Sequence, residues 1–512
     1  MFSLATVSAL CVIVLTLVWS SKQTKRKGLP LPPGPRPLPL LGNAHQINTS
    51  QPWLTYAAWG KQYGGIVYSR LLGQDYIIIN DENIVKTLLD QRGAIYSDRP
   101  VIATYMNKMC GIDFNTSFLP YGDLWRAHRK IFHQTLREDK AALYHDLYLR
   151  KAHDFVQNLI NFPGDLETHA ETLTASLIMA VTYGYETQIR DDPFVNRVQG
   201  LVDIVLQTIT PALSALLTGL PFFERLPEWF PGAAFKRRSR LCRDLSAEVV
   251  ERPFQYVIEQ MAKEIAPQSM VSDFHRNAIA KGEGDQDRVL KEVAATVYVG
   301  GFKTTSSNLH SFLLAMVLYP EVQQRAQAEI DAVIGDDRLP NFDDRAALPY
   351  VEAICREVLR WSPAAPLSVP HATSNDDTFN GYYIPKGATV ILNAWGIAHN
   401  EAVYPDPFHF KPERHFTADG QLKDDSLSNN LFFGSGRRIC PGRFFAERSM
   451  WAAIVSVLSS IRIEKARGPD GKEIEVRPDF TTGMVIYPKP FQCSVTSRSA
   501  TKEKLLRGKV TA

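Results

Sequence analysis

Cysteine is scarce and scattered in this 512-residue chain: Cys11, Cys110, Cys242, Cys355, Cys440 and Cys493 form no C-x-x-C pair. That spacing excludes a zinc ribbon or a dithiol redox site and fits a reducing compartment without disulfides. An excess of one charge is lacking too. Lys and Arg total 57 against 54 Asp and Glu, and the net +3 is too small for a nucleic-acid binder. No internal repeat, P-loop or Rossmann fingerprint occurs, so solenoid architecture and bound nucleotide, flavin or nicotinamide have no sequence warrant. What is present, 45% hydrophobic and 22% charged residues, is a globular composition with ample material for a core.

Phe2 to Trp19 is an uncharged, mostly apolar run, and Lys22, Lys25, Arg26 and Lys27 follow it. The run has the length of a bilayer span. A cleaved signal peptide carries its charge before the apolar run, not after it. The expectation is a transmembrane anchor over residues 1–20, with everything beyond it cytoplasmic by the positive-inside rule. Residues 21–43 read as a basic flank and a proline-rich hinge, since Leu29 to Pro39 is too rich in proline for helix or central strand. The basic, polar tail over residues 498–512 is expected to be disordered.

Between these ends the pattern predicts a mainly α protein with a smaller β region. Alternation from Gly65 to Asn80 predicts a hairpin turning near Gly73 to Asp75. Most of Asp81 to Ile334 reads as helices. Ser97 to Asp123 reads as a long apolar loop carrying Val101, Ile102, Met106, Met109, Phe114 and Phe118. Satellite core and cavity wall are both open readings for these residues. Thr210 to Arg238 combines Phe222, Phe223, Trp229 and Phe230 with four prolines, and reads either as core packing or as an aromatic lid at a membrane interface. Val289 to Tyr319 reads as one long buried helix interrupted at Gly300-Gly301. Thr389 to Leu392 and Phe480 to Val495 supply the later strands.

The most informative stretch is Phe433-Gly434-Ser435-Gly436-Arg437-Arg438-Ile439-Cys440-Pro441-Gly442. Its glycines allow close backbone approach to a flat partner. A helix beginning just past Cys440 would aim its free N–H groups and positive dipole end at the sulfur, favouring a thiolate able to bind iron. The stretch resembles the haem-binding loop of the cytochrome P450 family, Phe-x-x-Gly-x-Arg-x-Cys-x-Gly, at every fixed position. The resemblance implies a P450 fold, haem (heme b) as cofactor, Cys440 as the axial thiolate of the iron, Phe433 packed beside the sulfur and Arg438 paired with a haem propionate.

Other motifs follow in the family's order. Trp125 and Arg129, one helical turn apart, match the family's third helix and are implied to reach a propionate, as is His371. Leu367 and Val369 are implied to face substrate. Thr304, after Gly300-Gly301, is implied to be the catalytic threonine that supports oxygen activation. The usual acid before that threonine is replaced by Lys303, so altered proton delivery is expected. Glu357, Arg360 and Arg414 are implied to form a structural charge network, with His415 in place of the usual aromatic. Residues 44–497 would then be the haem-thiolate catalytic domain of a microsomal-type enzyme resembling fungal secondary-metabolism monooxygenases. Its implied place is the endoplasmic reticulum membrane, crossed once. Its implied reaction inserts one oxygen atom of O2 into a lipophilic small molecule, with electrons from NADPH-cytochrome P450 reductase. Arg126, Lys130, Arg437 and Arg443 are candidates for steering that acidic partner. A P450-fold isomerase or dehydratase needing no reductase is the alternative, for which only Lys303 speaks. A membrane-tethered interaction protein is opposed by the intact Cys440 loop.

Overall fold

The computed structural model describes residues 28–188, 190–209, 213–214, 216–217, 221–281, 287–424 and 426–508. The expected anchor over residues 1–20 lies outside the described residues, and among those described no helix is long and apolar enough to cross a membrane. The longer helices are α1 (Pro52–Tyr63), α2 (Val101–Met109), α3 (Asp123–Leu136), α4 (His145–Asn161), α5 (Leu166–Tyr183), α6 (Pro193–Thr208) and α7 (Ala234–Ala262). They continue with α8 (Met270–Lys281), α9 (Asp287–Leu318), α10 (Pro320–Ile334), α11 (Pro349–Trp361), α12 (Arg443–Ser460) and α13 (Ala500–Gly508).

The fold is organised around α9, whose 32 residues are apolar on nearly every face and are buried from Leu290 to Val317 with few breaks. Helices α3, α5, α7 and α12 pack along it. The interruption expected at Gly300-Gly301 is absent, and the helix runs through both residues. Gly301 serves packing instead: a Cβ there would lie 2.7 Å from Ile178 Cδ1 of α5, whereas one on Gly300 would meet nothing within 4 Å. Helix ends follow local chemistry. Asp192 caps α6 by accepting the Phe194 and Val195 N–H groups, with Pro193 in the first turn. Gly184, left-handed at φ 64°, closes α5.

The main sheet has strand order β1-β2-β6-β3. Strands β1 (Ile66–Leu71) and β2 (Gln74–Ile79) form the expected antiparallel hairpin. Its two-residue turn is Leu72-Gly73, both at positive φ. After β3 (His371–Ala372) and a small hairpin of β4 (Asp377–Phe379) with β5 (Tyr382–Ile384), the chain adds β6 (Thr389–Leu392), parallel to β2 and antiparallel to β3. Strands β7 (Ile461–Lys465) and β8 (Cys493–Ser497) pair separately.

Three expectations are corrected here. The hinge is not a free spacer over its described part: Pro33 O accepts the Tyr68 N–H at 2.9 Å and Pro30 O accepts that of Tyr383 at 2.8 Å. An extended proline backbone leaves its carbonyls unpaired, and nearby strand N–H groups take them up. The tail is not disordered up to residue 508. It forms α13, burying Leu506 and Lys502, whose ammonium donates to Gly335 O and Arg338 O. The stretch Ser97 to Asp123 is not simply a loop, because it contains α2. Met106 packs with Leu217, Ala233 and Phe235, while Phe114 joins a second core with Ile131 and Phe132, so satellite core wins over cavity wall. The aromatic segment divides in the same way: Phe223 packs inward, while Trp229 stays 78% exposed.

Candidate active site

The loop ahead of α12 is built from two 3₁₀ turns, Leu431–Phe433 and Gly436–Arg438. The Cys440 N–H donates to Phe433 O at 2.8 Å and closes the loop. Gly436 is obligatory, since it stands at φ 63° and a Cβ on it would fall 1.8 Å from Leu89 O. Helix α12 starts three residues after Cys440, as the sequence predicts.

Cys440 opens onto a cavity of about 310 Å³ whose wall also includes Phe433, Arg438, Trp125, Arg129, His371 and Thr304. The residues expected to hold the haem, and Thr304, are therefore at one chamber. The chamber's apolar wall comes from Ile178 and Val181 of α5, Val297 of α9, and Ala364, Ala365 and Val369. Leu367 is elsewhere, packed against the cluster of Tyr56, Trp59, Val67, Ile78 and Ile391. From the stretch Ser97 to Asp123 the lining residues are Arg99, Thr116 and Ser117 rather than the apolar ones.

Arg99 is the member the sequence reading missed. It carries no motif, and its only signal was a charge at the start of an apolar stretch. Its guanidinium is buried and donates to Ser117 O (2.7 Å), Val369 O (2.9 Å) and Pro370 O (2.7 Å). Arg438 donates to Ser97 O (2.8 Å) and Leu119 O (2.7 Å), and Arg129 to Ile439 O (2.8 Å). Trp125 lies beneath two of these cations, with the Arg438 and Arg129 guanidinium carbons 4.7 and 5.7 Å from its ring centre. Among the described lining residues none is acidic. Burial drives the Arg438 pKa down to about 10 and that of Arg99 well below its usual value; Arg129 adds to the first shift and Arg438 to the second, while Asp98 opposes both. Burial, then Arg99, holds His371 neutral, with Nδ1 and Tyr96 O 2.8 Å apart.

This donor set fits a haem. Three arginines tethered by carbonyls and facing a chamber without acids call for an anion, and two propionates would supply it. The sulfur points the same way. Burial pushes the Cys440 thiol up, outweighing the Gly442 N–H, Arg129 and Arg443. The helix terminus alone therefore does not secure the thiolate, and a cation bound at the sulfur would favour it.

Thr304 faces the chamber and donates its hydroxyl to Gly300 O at 3.0 Å. Lys303 does not line it. Its ammonium reaches Glu167 Oε1 at 2.9 Å, bonds to Glu171, and lies 4.5 Å from the Tyr487 ring centre. Burial opposes its charge, but the two carboxylates prevail and raise its pKa. Lys303 thus stays charged outside the chamber, away from the proton delivery expected to depend on it. The charge network is as expected: Arg360 grips Glu357 with two bonds of 2.8 Å and Arg414 adds one of 3.1 Å. His415 is not idle, since its Nε2 lies 3.0 Å from Glu357 Oε2.

The cytochrome P450 family model matches residues 32–495. Cytochrome P450 monooxygenase 208 of Postia placenta is 38% identical over 501 residues, covering 98% of this chain and 96% of that protein. Cytochrome P450 monooxygenase COX2 of Coprinopsis cinerea is 34% identical over 478 residues, 93% and 90% of the two chains. Cytochrome P450 monooxygenase claR of Ampulloclitocybe clavipes is 36% identical over 507 residues, 99% and 93%.

Proposed function

Since the chain belongs to the cytochrome P450 family of haem-thiolate oxidoreductases, we propose that it is a monooxygenase placing one atom of O2 into a lipophilic secondary metabolite, with electrons from NADPH through a separate flavoprotein reductase. The carrying observation is the single chamber that joins Cys440, an arginine set without acids, and Thr304 beneath an apolar wall. Haem, when bound, supplies the oxygen-activating chemistry. Cys440 would ligate the iron, with Phe433 against the sulfur. Arg438, Arg129, Trp125 and His371 would hold the propionates, and Arg99 adds a cation behind them. Thr304 presents a hydroxyl that holds a proton at the chamber wall. Ile178, Val181 and Val297 exclude water and favour an apolar substrate.

Residues 1–20 would anchor the protein in the endoplasmic reticulum membrane, leaving the catalytic domain cytoplasmic. Arg437, bonded to the Tyr121 hydroxyl at 2.7 Å, and the exposed Arg126 and Lys130 would meet an acidic reductase. The isomerase or dehydratase reading rested on Lys303 and loses that support, because Lys303 lies outside the chamber. The test is spectroscopic and chemical. Reduced protein with carbon monoxide should show the red-shifted Soret band of thiolate-bound haem, and Cys440→Ser should lose it. Products from a panel of lipophilic compounds should need both NADPH and O2. Product formed without either would sink the monooxygenase reading.

A further inference from the structure

Two of the three chamber arginines share an acidic neighbour that stands behind the wall rather than in it. Asp98, half-buried just before α2, does not line the chamber. Its Oδ1 accepts two backbone N–H groups, from Arg99 at 2.9 Å and from Tyr121 at 3.0 Å, and its carbonyl accepts the Ala372 N–H at 2.8 Å, beside His371. These bonds set the acid against the arginines. Arg99 follows it directly in the chain, while Arg438 donates to Ser97 O, next to Asp98, and to Leu119 O, close to Tyr121. The Asp98 charge opposes the fall that burial imposes on the pKa of both guanidiniums. One carboxylate against three guanidiniums leaves two positive charges, the number that two ionised propionates neutralise. Hydrogen bonding does not call for an acid here. An asparagine in its place would accept the same two N–H groups, so the charge is what the loop geometry leaves unexplained.

We propose that Asp98 is a positioning residue whose negative charge, set against Arg99 and Arg438, holds down the reduction potential of the haem iron, an inference that rests on the haem-thiolate assignment of the site. Reduction adds one electron, Fe(III) + e⁻ → Fe(II), and lowers the charge of the site by one. Each nearby cation therefore assists it and each nearby anion opposes it. With Asp98 in place the arginines balance the propionates. Without it they exceed them, and the surplus cation favours the ferrous state.

The test uses full-length, haem-loaded protein under argon, without turnover, titrated with dithionite in the presence of redox dyes and followed at the Soret band. Asp98→Asn keeps the acceptor oxygen and removes the charge, whereas Asp98→Glu keeps the charge. At the ambient potential where the parent protein is half reduced, Asp98→Asn should show a ferrous-to-ferric ratio higher by about threefold or more, and Asp98→Glu a ratio close to the parent's. The second readout is the rate of haem transfer to apomyoglobin. A purely structural Asp98 predicts a loosened loop and faster loss in Asp98→Asn; the charge role predicts no acceleration, because the surplus cation holds the propionates more firmly. A parental ratio in Asp98→Asn overturns the proposal, as does a ratio equally raised in Asp98→Glu, or a raised ratio accompanied by faster haem loss. Should Asp98→Asn fail to hold haem, Asp98→Ser takes its place with the same expected ratio. The thiolate has its own readout. A parent protein without the red-shifted carbon monoxide band would overturn the haem-thiolate assignment, while the ratio still decides the role of Asp98, since it needs bound haem and not a sulfur ligand.

Discussion

Replacing Lys303 with Met leaves the Glu171 carboxylate, 4% exposed, without its cation. Breaking a buried pair in this way costs about 3–5 kcal/mol. Burial already raises the Glu171 pKa, so in the variant the penalty should be greatest at neutral pH and shrink as the carboxyl protonates in acid. Urea midpoints at pH 7 and pH 5 check this, and equal losses at both would refute it. The peroxide yield per NADPH should not change, because Lys303 has no surface on the chamber. Glu357 behaves in the opposite sense. Burial works against its charge, yet His415 and Arg360 hold its pKa down to about 2 against an ordinary 4.5. Its contribution, about 3 kcal/mol at 1.36 kcal/mol per unit, is fully present above pH 4.5 and disappears as pH falls toward 2. Glu357→Gln should therefore flatten the acid limb of the stability curve. At this scale the sequence located Cys440, Thr304, Arg438 and their companions because a motif fixes spacing within a loop or along one helix face. It misplaced Lys303 because neighbours on a helix point about 100° apart, so the residue beside Thr304 looks away from what Thr304 faces.

Elements were legible where periodicity was strong, as in the hairpin and in α9, and obscure where composition stood in for contacts. The proline-rich hinge has no apolar periodicity, and its attachment runs through backbone carbonyls that no side-chain pattern reports. Gly34→Ala should release it, since a Cβ would sit 1.9 Å from Tyr68 O. Faster hydrogen exchange at the Tyr68 amide, which donates to Pro33 O, is the expected readout. The tail reads as polar overall, but Lys502 and Leu506 share one helix face at i, i+4 and that face is buried. Ending the chain at Ser499 removes Leu506 from the core and should cost about 1.5–3 kcal/mol, measurable as a lowered denaturant midpoint with an unchanged carbon monoxide band.

For the whole molecule, deleting residues 1–27 should move the protein from the membrane pellet to the soluble fraction while haem binding persists. A protein that stays in the pellet would shift the membrane contact to the exposed surface around Trp229, and Trp229→Ser in the same background would then release it. Orientation has its own reporter in two N-glycosylation sequons, Asn48-Thr49-Ser50 and Asn115-Thr116-Ser117. Asn115 is buried and accepts the Ser117 N–H, so the exposed Asn48 is the informative site. A glycan on it would place the domain on the lumenal side. The chamber has a consequence for the life of the protein in a cell. Until haem arrives, Arg99, Arg129 and Arg438 line a chamber whose wall holds no acid, with Asp98 offsetting only part of the charge on Arg99 and Arg438, and haem binding to the folded form alone raises its stability by mass action. Newly made chains should therefore be degraded when porphyrin synthesis slows, and the steady amount of this protein should follow the supply of its cofactor rather than the rate of its own translation.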